Sequence, residues 1–183
     1  MEVKQKTIRL KDGREAVIRS ARPSDAAEMV SFMRTTAGET EFLLRYPEEC
    51  AMTEAGEAAF LDDALNNPDQ IMPCCFVEGV LAGNAMLTMN SRIKTRHRGS
   101  VAGGLLKEYW GLGIGTALFE EMIAVAKNRG LSHLELDYIE GNDRARCLYE
   151  KMGFAEVARV PEVYRLKDGS IRASILMMKK LKE

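Results

Sequence analysis

The chain has 183 residues, of which 46% are hydrophobic and 29% are charged, and its formal net charge is −1. This length allows one domain with a sizeable core and is too short for two ordinary ones, so we treat residues 1–183 as one domain. The near-zero charge excludes a global electrostatic attraction to nucleic acid or to anionic lipid, and we expect neither as a partner.

We expect no membrane-spanning or targeting segment. The N-terminal residues are too highly charged for a signal peptide, and no stretch approaches the roughly 18 apolar residues of a spanning helix. With only two histidines, His97 and His133, we expect no histidine-based metal site. The cysteines fit no zinc spacing and predict reduced thiols in a cytoplasmic protein; they are Cys50, Cys74, Cys75 and Cys147.

The N-terminal part of the chain predicts a hairpin followed by a helix. Residues 6–20 read as two strands joined at Asp12-Gly13, a dipeptide typical of tight hairpin turns. The sequence Arg22-Pro23-Ser24-Asp25 then marks a helix start, because Ser and Asp cap helices and Pro is favoured in their first turn. We expect this helix to end near Thr35.

The middle of the chain predicts a second helix and three strands. After an irregular stretch at 36–52, we expect a helix over Thr53–Leu65, whose first residue is suited to capping. Residues 70–77 and 80–89 read as strands, and a third strand follows around 96–106.

The remaining chain alternates between helical and strand periods. Apolar residues recur at helical spacing over 114–127 and again over 142–152, and a strand-like alternation at 132–139 separates these two helices. Residues 154–180 read as two or three strands. A strand–helix–strand passage requires a parallel pair and the hairpins require antiparallel pairs, so the chain predicts an α/β (α+β) fold with a mixed sheet covered by helices.

A glycine-rich turn lies between the strand predicted around 96–106 and the helix predicted over 114–127. It reads Tyr109-Trp110-Gly111-Leu112-Gly113-Ile114-Gly115-Thr116. Glycine removes the Cβ where the backbone must approach a ligand, and the N–H groups at a helix start attract anions. The turn therefore predicts a phosphate or pyrophosphate site, although a tight connection that uses glycine only for packing is the simpler alternative.

The turn also comes close to the dinucleotide-binding fingerprint G-x-G-x-x-G. Thr116 or Leu118 replaces its third glycine, while Asp137 ends the next strand, where a ribose-binding acid would lie. Over 100 residues precede the turn and fewer than 70 follow it, which leaves too little chain for the second half of such a domain. A nucleotide-dependent oxidoreductase stays open as an alternative at this point.

A second motif, at 142–154, reads Asn-Asp-Arg-Ala-Arg-Cys-Leu-Tyr-Glu-Lys-Met-Gly-Phe. It resembles the N-x-x-A-x-x-L-Y-x-K-x-G-F segment of GNAT acetyltransferases, and the glycine turn resembles the R/Q-x-x-G-x-G/A phosphate motif of that family. The resemblance is specific from Val101 to Phe154. It implies a mixed, mostly antiparallel central sheet of about seven strands, flanked by helices, with a splayed central strand pair.

The resemblance also implies transfer of an acetyl group from acetyl-CoA to a primary amine by direct attack. It makes Tyr149 the catalytic acid that protonates the departing CoA thiolate. The residues that it implies for cofactor binding are Leu105, Leu106, Leu112, Gly113, Ile114, Gly115, Thr116 and Asn142. Taken alone, Asn142 would be explained as a helix cap and Tyr149 as a core residue.

The chain departs from the family pattern in its charged groups. Trp110 stands where the phosphate motif opens with a basic or amide residue, and we expect Lys107, Arg144 or Arg146 to compensate. The strand at 96–106 lacks the glutamate that often serves as the base in this family. The base is therefore unassigned, with the candidates Glu41, Asp137 and Glu140.

Two further groups of charges invite both a functional and a simpler interpretation. One is a basic stripe that alternates along a predicted hairpin: Arg92, Lys94, Arg96 and Arg98. It could contact an acidic partner or the 3′-phosphate of CoA, but it more simply forms a solvated sheet edge. The other is an acidic set between the first two helices, which could attract a cationic amine or be a solvated loop: Glu39, Glu41, Glu48 and Glu49.

The first functional hypothesis is an acetyltransferase for a small amine, and a deep acceptor pocket would favour it. The alternatives are an acetyltransferase for protein N-termini or lysines, which an open groove would favour, and a non-catalytic acyl-CoA-binding module, which the missing glutamate suggests. The C-terminal strands could form a homodimer.

Overall fold

Strands and helices occur in the order that the sequence pattern predicts. The computed structural model describes residues 1–181, so the last two positions of the predicted domain lie outside the described residues. In chain order the elements are β1 (Lys6–Arg9), β2 (Glu15–Ser20), α1 (Ala26–Glu39), α2 (Glu54–Asn66), β3 (Gln70–Ile71), β4 (Pro73–Val77), β5 (Val80–Met89), β6 (Arg98–Leu105), α3 (Ile114–Asn128), β7 (His133–Ile139), α4 (Asp143–Lys151), β8 (Ala155–Arg165) and β9 (Ile171–Lys180).

Helix α1 ends four residues later than the sequence predicts. The prediction ended it near Thr35 because the stretch 36–52 contains Gly38, Pro47 and several acids and has no helical pattern. In the structure Thr36 is buried and its hydroxyl donates to the carbonyl of Phe32 at 2.8 Å, which keeps this residue inside the helix. The predicted start of α2 is confirmed, since the Thr53 hydroxyl accepts a hydrogen bond from the N–H of Gly56 at 3.1 Å.

The strands form one open, mixed sheet. Its order is β1-β2-β4-β5-β6-β7-β9-β8, and the two-residue strand β3 pairs with β5 outside this path. The pair β6–β7 is parallel, and the neighbouring pairs of the path are antiparallel. The predicted mixed, mostly antiparallel sheet is thus confirmed. It has nine strands rather than about seven, among them the short strands β1, of four residues, and β3, of two.

The parallel strands β6 and β7 separate after a short paired stretch. Their register runs from Arg98 opposite His133 to Ser100 opposite Glu135 and then stops, while both strands continue. On their other edges both strands stay paired, β6 with β5 and β7 with β9. The unpaired ends therefore enclose a wedge-shaped opening, which we call the β6–β7 gap.

Two hydrophobic clusters cover opposite faces of the sheet. Apolar side chains of α1 and α2 pack on β4 and β5 around Met29, Phe32 and Leu61, and we call this side the α1–α2 face. Helix α3 packs on the other side around Leu118 and Met122, with residues of α4 against the same cluster, and we call this side the α3–α4 face. The gap opens between these two faces, so it can be reached from the α1–α2 face and from the α3–α4 face.

The basic stripe is not a strand edge, which corrects its predicted alternation. The N–H groups of Thr95 and Arg96 both donate to the carbonyl of Arg92, at 2.9 and 2.8 Å, so this segment forms successive turns. Arg92, Lys94 and Arg96 consequently lie on an exposed loop between β5 and β6. Arg98 begins β6 and forms an ion pair with Glu135.

The four cysteines are free thiols, three buried and Cys147 exposed. Burial raises the pKa of Cys75 to about 11 and raises the pKa of Cys74 further, so both stay protonated at neutral pH. Within residues 1–181, no helix has the length and apolar character needed to cross a membrane.

Two adjacent glycines at the end of β6 provide a test of the packing beside the gap. A Cβ on Gly103 would lie 2.7 Å from the backbone oxygen of Asn84, whereas the nearest atom to a Cβ on Gly104 is a Leu43 methyl carbon at 4.0 Å. We expect Gly103→Ala to lower the free energy of unfolding by about 1–3 kcal/mol, the usual cost of overpacking. The measurement is urea denaturation of both variants and the parent.

Gly104→Ala is the matched control, and we expect it to be neutral or slightly stabilising because alanine restricts the unfolded chain. Equal effects at the two positions would contradict the close β5–β6 approach at Gly103.

Candidate functional site

The end of β6 directs one residue's backbone into the β6–β7 gap. The N–H of Leu106 donates to the carbonyl of Ala82 on β5, and the carbonyl of Leu106 accepts from Tyr109, both at 3.0 Å. Backbone groups of successive strand residues point to opposite edges, so those of Leu105 point away from β5 and toward the gap. Leu105 is thus suited to bind a ligand there, whereas the backbone groups of Leu106 already have these partners, and the predicted cofactor contacts of both residues stay predictions.

Trp110 closes part of the gap. Its indole N–H donates to the carbonyl of Leu105 at 3.1 Å, which leaves the N–H of Leu105 as the free backbone group. The guanidinium carbon of Arg144 lies 4.6 Å from the centre of the Trp110 ring, an arrangement typical of a cation–π contact. Trp110, which replaces the expected basic residue, therefore holds the guanidinium group of Arg144 beside the glycine turn.

The glycine turn has the conformation of an anion site. Gly111 and Gly113 have φ angles of +82° and +100°, values that other residues adopt only with strain. Helix α3 begins at Ile114, directly after this turn. The N–H groups of a first helical turn have no partner within the helix, so those of Ile114, Gly115 and Thr116 are free to bind an anion, and the helix dipole favours negative charge there.

Gly115 has a packing role. A Cβ at this position would lie 2.9 Å from a methyl carbon of Leu148, so glycine lets the start of α3 approach α4 closely. The two motifs of the sequence are thereby in direct contact, although Leu148 follows Gly115 by 33 positions in the chain.

Lys151 supplies a further cation that the sequence analysis did not single out. Its ammonium group donates to the Thr116 hydroxyl at 3.1 Å and so lies at the positive end of α3. Arg146, by contrast, forms an ion pair with Glu150 at 2.9 Å. Lys107 donates its backbone N–H to Glu39 at 2.7 Å. Among the described residues, Arg144 is the compensation candidate whose charged group contacts the turn, through the Trp110 ring, whereas Lys107 contacts it through its backbone carbonyl, which accepts from the N–H of Trp110 at 3.2 Å.

Asn142 caps helix α4. Its side-chain oxygen accepts a hydrogen bond from the N–H of Ala145 at 3.2 Å, so the capping interpretation is confirmed. The side-chain amide still has its two N–H donors. Asn142 follows β7 at the wide end of the gap, where those donors could reach a bound molecule.

Tyr149 lies on α4 within an aromatic cluster beside the gap. Its ring centre is 5.4 Å from that of Phe119 and 5.8 Å from that of Tyr138 on β7. Burial, followed by the negative charge of Asp137, raises the pKa of the Tyr149 phenol to about 12. The phenol therefore keeps its proton throughout the physiological range and can act as a proton donor.

The segment between α1 and α2 lies over the gap on the α1–α2 face. A Cβ on Gly141 would be 3.7 Å from the Phe42 ring, and Leu43 approaches Gly104. The Tyr46 hydroxyl accepts from the N–H of Lys167, in the turn between β8 and β9, at 3.0 Å. This segment therefore spans from the end of β6 to the β8–β9 hairpin.

Three of the four residues of the acidic set hold the α1–α2 segment in place, one by a bond within it and two by bonds to other parts of the chain. Glu39 accepts from Lys107, and Glu49 accepts from the N–H of Tyr46 at 2.8 Å. Glu48 forms an ion pair with Lys167, which lowers the pKa of the Glu48 carboxyl. Glu41 is exposed and makes no hydrogen bond or ion pair with the described residues 1–181.

The three candidate bases differ in their surroundings. Glu140 forms an ion pair with Arg159 at 2.6 Å and accepts a backbone hydrogen bond from Ala173, which together lower its pKa. Asp137 accepts hydrogen bonds from the hydroxyls of Tyr164 and Ser174, at 3.0 and 3.1 Å. Glu140 is thus a poor base. The hydrogen-bond partners of Asp137 are uncharged hydroxyl groups.

The histidines come together in the fold, with ring centres 5.2 Å apart. They lie where β6 and β7 begin, at the closed end of the gap. Within residues 1–181, no group of three or more His, Cys, Asp or Glu side chains is arranged to hold a metal ion.

Comparisons with known proteins identify relatives of this site. The family model described as acetyltransferase (GNAT) family matches residues 37–154. A GNAT-family acetyltransferase from Streptococcus pneumoniae has a structure with a TM-score of 0.85 and 31% identity, covering 90% of this chain and 99% of that one. A protein from Salmonella typhimurium, solved with its cofactor acetyl-CoA, has a TM-score of 0.78 and 19% identity over 92% and 95% of the two chains, which supports the fold alone.

One sequence relative has a named protein substrate class. N-alpha-acetyltransferase 30 of Schizosaccharomyces pombe is 35% identical over 74 residues, which are 37% of this chain and 49% of the relative. The chain thus spans about half the length of the curated relative it matches.

The raised pKa of Tyr149 can be tested by titration. We expect this phenol to remain protonated at a pH of about 10, where an ordinary tyrosine is half ionised, because its buried position disfavours the phenolate. NMR of protein labelled at the tyrosine Cζ would follow each phenol, and Tyr149→Phe would identify the signal. An ordinary midpoint for that signal would contradict the buried environment.

Proposed function

Because the chain belongs to the acetyltransferase (GNAT) family, we propose that it transfers the acetyl group of acetyl-CoA to the primary amine of a small molecule by direct attack. The observation that carries this proposal is the β6–β7 gap. It has an anion site and a protonated phenol on the α3–α4 face and a covered opening on the α1–α2 face. The family assignment replaces the dinucleotide hypothesis.

The residues of the gap fit acetyl-CoA. The free N–H groups of the glycine turn suit the pyrophosphate, with Arg144 and Lys151 as neighbouring cations. The N–H of Leu105 suits the amide-rich pantetheine arm, and the free amide donors of Asn142 could bind the same arm. The free backbone N–H groups at the start of α3, the backbone N–H of Leu105 and the side-chain N–H donors of Asn142 have no hydrogen-bond partner among residues 1–181. Their availability supports the cofactor assignment.

The chemistry requires a proton donor for the leaving group. The amine nitrogen forms a bond to the acetyl carbon, the carbon–sulfur bond breaks, and the electron pair stays on sulfur as a thiolate. Tyr149 is the acid that we assign to this thiolate, because its phenol is protonated and lies beside the gap on the α3–α4 face. A backbone N–H near the thioester, such as that of Leu105, would stabilise the oxyanion.

The covered opening favours a small acceptor over a polypeptide. Tyr46 and Glu48 both contact Lys167, and the Lys167 ammonium lies 4.2 Å from the centre of the Tyr46 ring. These contacts join the α1–α2 segment to the β8–β9 hairpin across the end of the gap. A peptide would have to displace them, whereas a small amine would not.

The named relative favours a second candidate, acetylation of protein N-termini. Its identity with this chain covers 74 residues, too few to carry the acceptor specificity of the whole protein. A non-catalytic acyl-CoA-binding module would have no need of a protonated phenol beside the gap. We therefore keep both as outcomes of the activity test below.

A homodimer stays a prediction. Strand β8 is an edge of the sheet and exposes Val157, Val160 and Val163, which would be available to a second copy. Pro161 lacks an N–H for pairing, so a contact would rely on side chains near this position.

Cofactor binding can be tested at the glycine turn. We expect Gly113→Glu to weaken acetyl-CoA binding by about tenfold or more, since one repulsive contact of about 1.4 kcal/mol has that effect. Isothermal titration with acetyl-CoA would measure the dissociation constant.

Gly79→Glu is the matched control, because Gly79 also has a positive φ and open surroundings but lies in the β4–β5 turn. A similar loss of affinity in both variants would argue against an anion site at residues 111–116.

The acceptor class can be tested with a thiol-release assay. We expect turnover of acetyl-CoA with members of a panel of small primary amines, and at most weak turnover with peptides that have free N-termini. Tyr149→Phe should lower kcat by about a hundredfold while acetyl-CoA binding is kept, because general acids contribute about 10²–10⁴-fold.

Faster turnover of the peptides would favour the N-terminal acetyltransferase. Binding of acetyl-CoA without turnover of any amine or peptide would favour the binding module.

A further inference from the structure

Asp137 occupies a defined position at the gap. It is two residues beyond Glu135, the last residue of β7 that pairs with β6, so it borders the opening. Its side chain bonds to Ser174 on β9, whose neighbours Ala173 and Ile175 belong to the cluster on the α3–α4 face. Since side chains alternate along a strand, Ser174 and Asp137 lie on the α1–α2 face.

Asp137 and Tyr149 lie on opposite faces of the sheet, next to the same part of β7. Tyr138 follows Asp137 and therefore points to the other face, where its ring packs against Tyr149. The charge of Asp137 contributes to the raised pKa of Tyr149, which is consistent with their closeness. A carboxylate and a phenol thus face the gap from its two sides.

Two hydroxyl groups hold the Asp137 carboxylate. Tyr164 and Ser174 both donate to one oxygen, Oδ2, at 3.0 and 3.1 Å. Their hydroxyls are themselves 3.4 Å apart. These bonds orient the carboxylate without neutralising it, and they leave Oδ1 without a hydrogen-bond partner among residues 1–181.

We propose that Asp137 is the carboxylate that receives the acceptor's amino group. Oδ1 accepts a hydrogen bond from the neutral amine on the α1–α2 face. This bond orients the lone pair of the amine nitrogen toward the acetyl carbon. As the carbon–nitrogen bond forms, the nitrogen becomes acidic and its proton passes to Asp137. The thiolate released on the other face takes its proton from Tyr149, and exchange with solvent restores both residues.

This inference rests on the proposed function and assigns the base that the sequence left open. Glu140 is held by Arg159. Glu41 and Asp137 are both exposed, but Asp137 is oriented by two hydroxyl groups, whereas Glu41 has no such bond among residues 1–181. Ser174 and Tyr164 act through Asp137 and are positioning residues.

The test compares Asp137→Asn with Asp62→Asn, the same change at an exposed position of α2, using the amine that the panel identifies as a substrate. We expect Asp137→Asn to lower kcat/KM for the amine by about a hundredfold, the usual contribution of a general base, and Asp62→Asn to change it less than about threefold. Acetyl-CoA affinity and the melting temperature should be unchanged in both. In Asp137→Ala, added formate should restore activity in a concentration-dependent manner, because it supplies the missing carboxylate.

The outcomes separate the inference from the function on which it rests. Wild-type protein that turns over no amine would refute the proposed function. An active wild type with an equally active Asp137→Asn would overturn the role of Asp137 alone. A loss of amine turnover that is accompanied by lost acetyl-CoA binding and a lower melting temperature, without rescue by formate, would assign Asp137 a structural role and also overturn it.

Discussion

The separation of β6 and β7 after Ser100 and Glu135 is the constraint on which the site depends. Inside a sheet, two strands that part leave backbone N–H and C=O groups without partners, and each such group costs about 1–3 kcal/mol when it is shielded from water. Here that cost is offset in part by Trp110, whose indole satisfies the carbonyl of Leu105. The groups that remain unpaired favour an extended, amide-bearing ligand, because such a ligand can replace the missing strand contacts.

The gap persists because the fold holds its two sides independently. Strand β6 is paired with β5 over seven residues and β7 is paired with β9 over seven, so neither strand can move toward the other without breaking a longer ladder. Both strands are also anchored in one core near the junction, where Val101 of β6 and Leu134 of β7 are buried beneath α3. Beyond the junction, the glycine turn ends one side and Asn142 ends the other. The protein groups that border the gap are therefore held by strands that cannot easily move.

Local signals in the sequence were sufficient for the element order and for the conformation of the turn. Gly111 and Gly113 have positive φ, Asn142 caps α4, and the predicted parallel pair is β6–β7. The choice between Leu105 and Leu106 could not be predicted in this way. It depends on which residues of β6 face β5, and a register shift of one residue would exchange the two.

The sequence could not distinguish Asp137 from Glu140 as the proposed base, because the distinction depends on which face of the sheet each side chain lies on and what it meets there. Adjacent residues of a strand point to opposite sides, so Asp137 and Tyr138 border the two halves of the gap although they are neighbours in the chain. What distinguishes Asp137 from Glu140 is the identity of its partners on β8 and β9, which follow 27 and 37 residues later. The hydroxyl partners of Asp137 are uncharged and leave Oδ1 open among residues 1–181, whereas the arginine partner of Glu140 lowers its pKa by supplying a positive charge. The C-terminal hairpin, which carries neither motif, therefore decides which acid remains available at the gap.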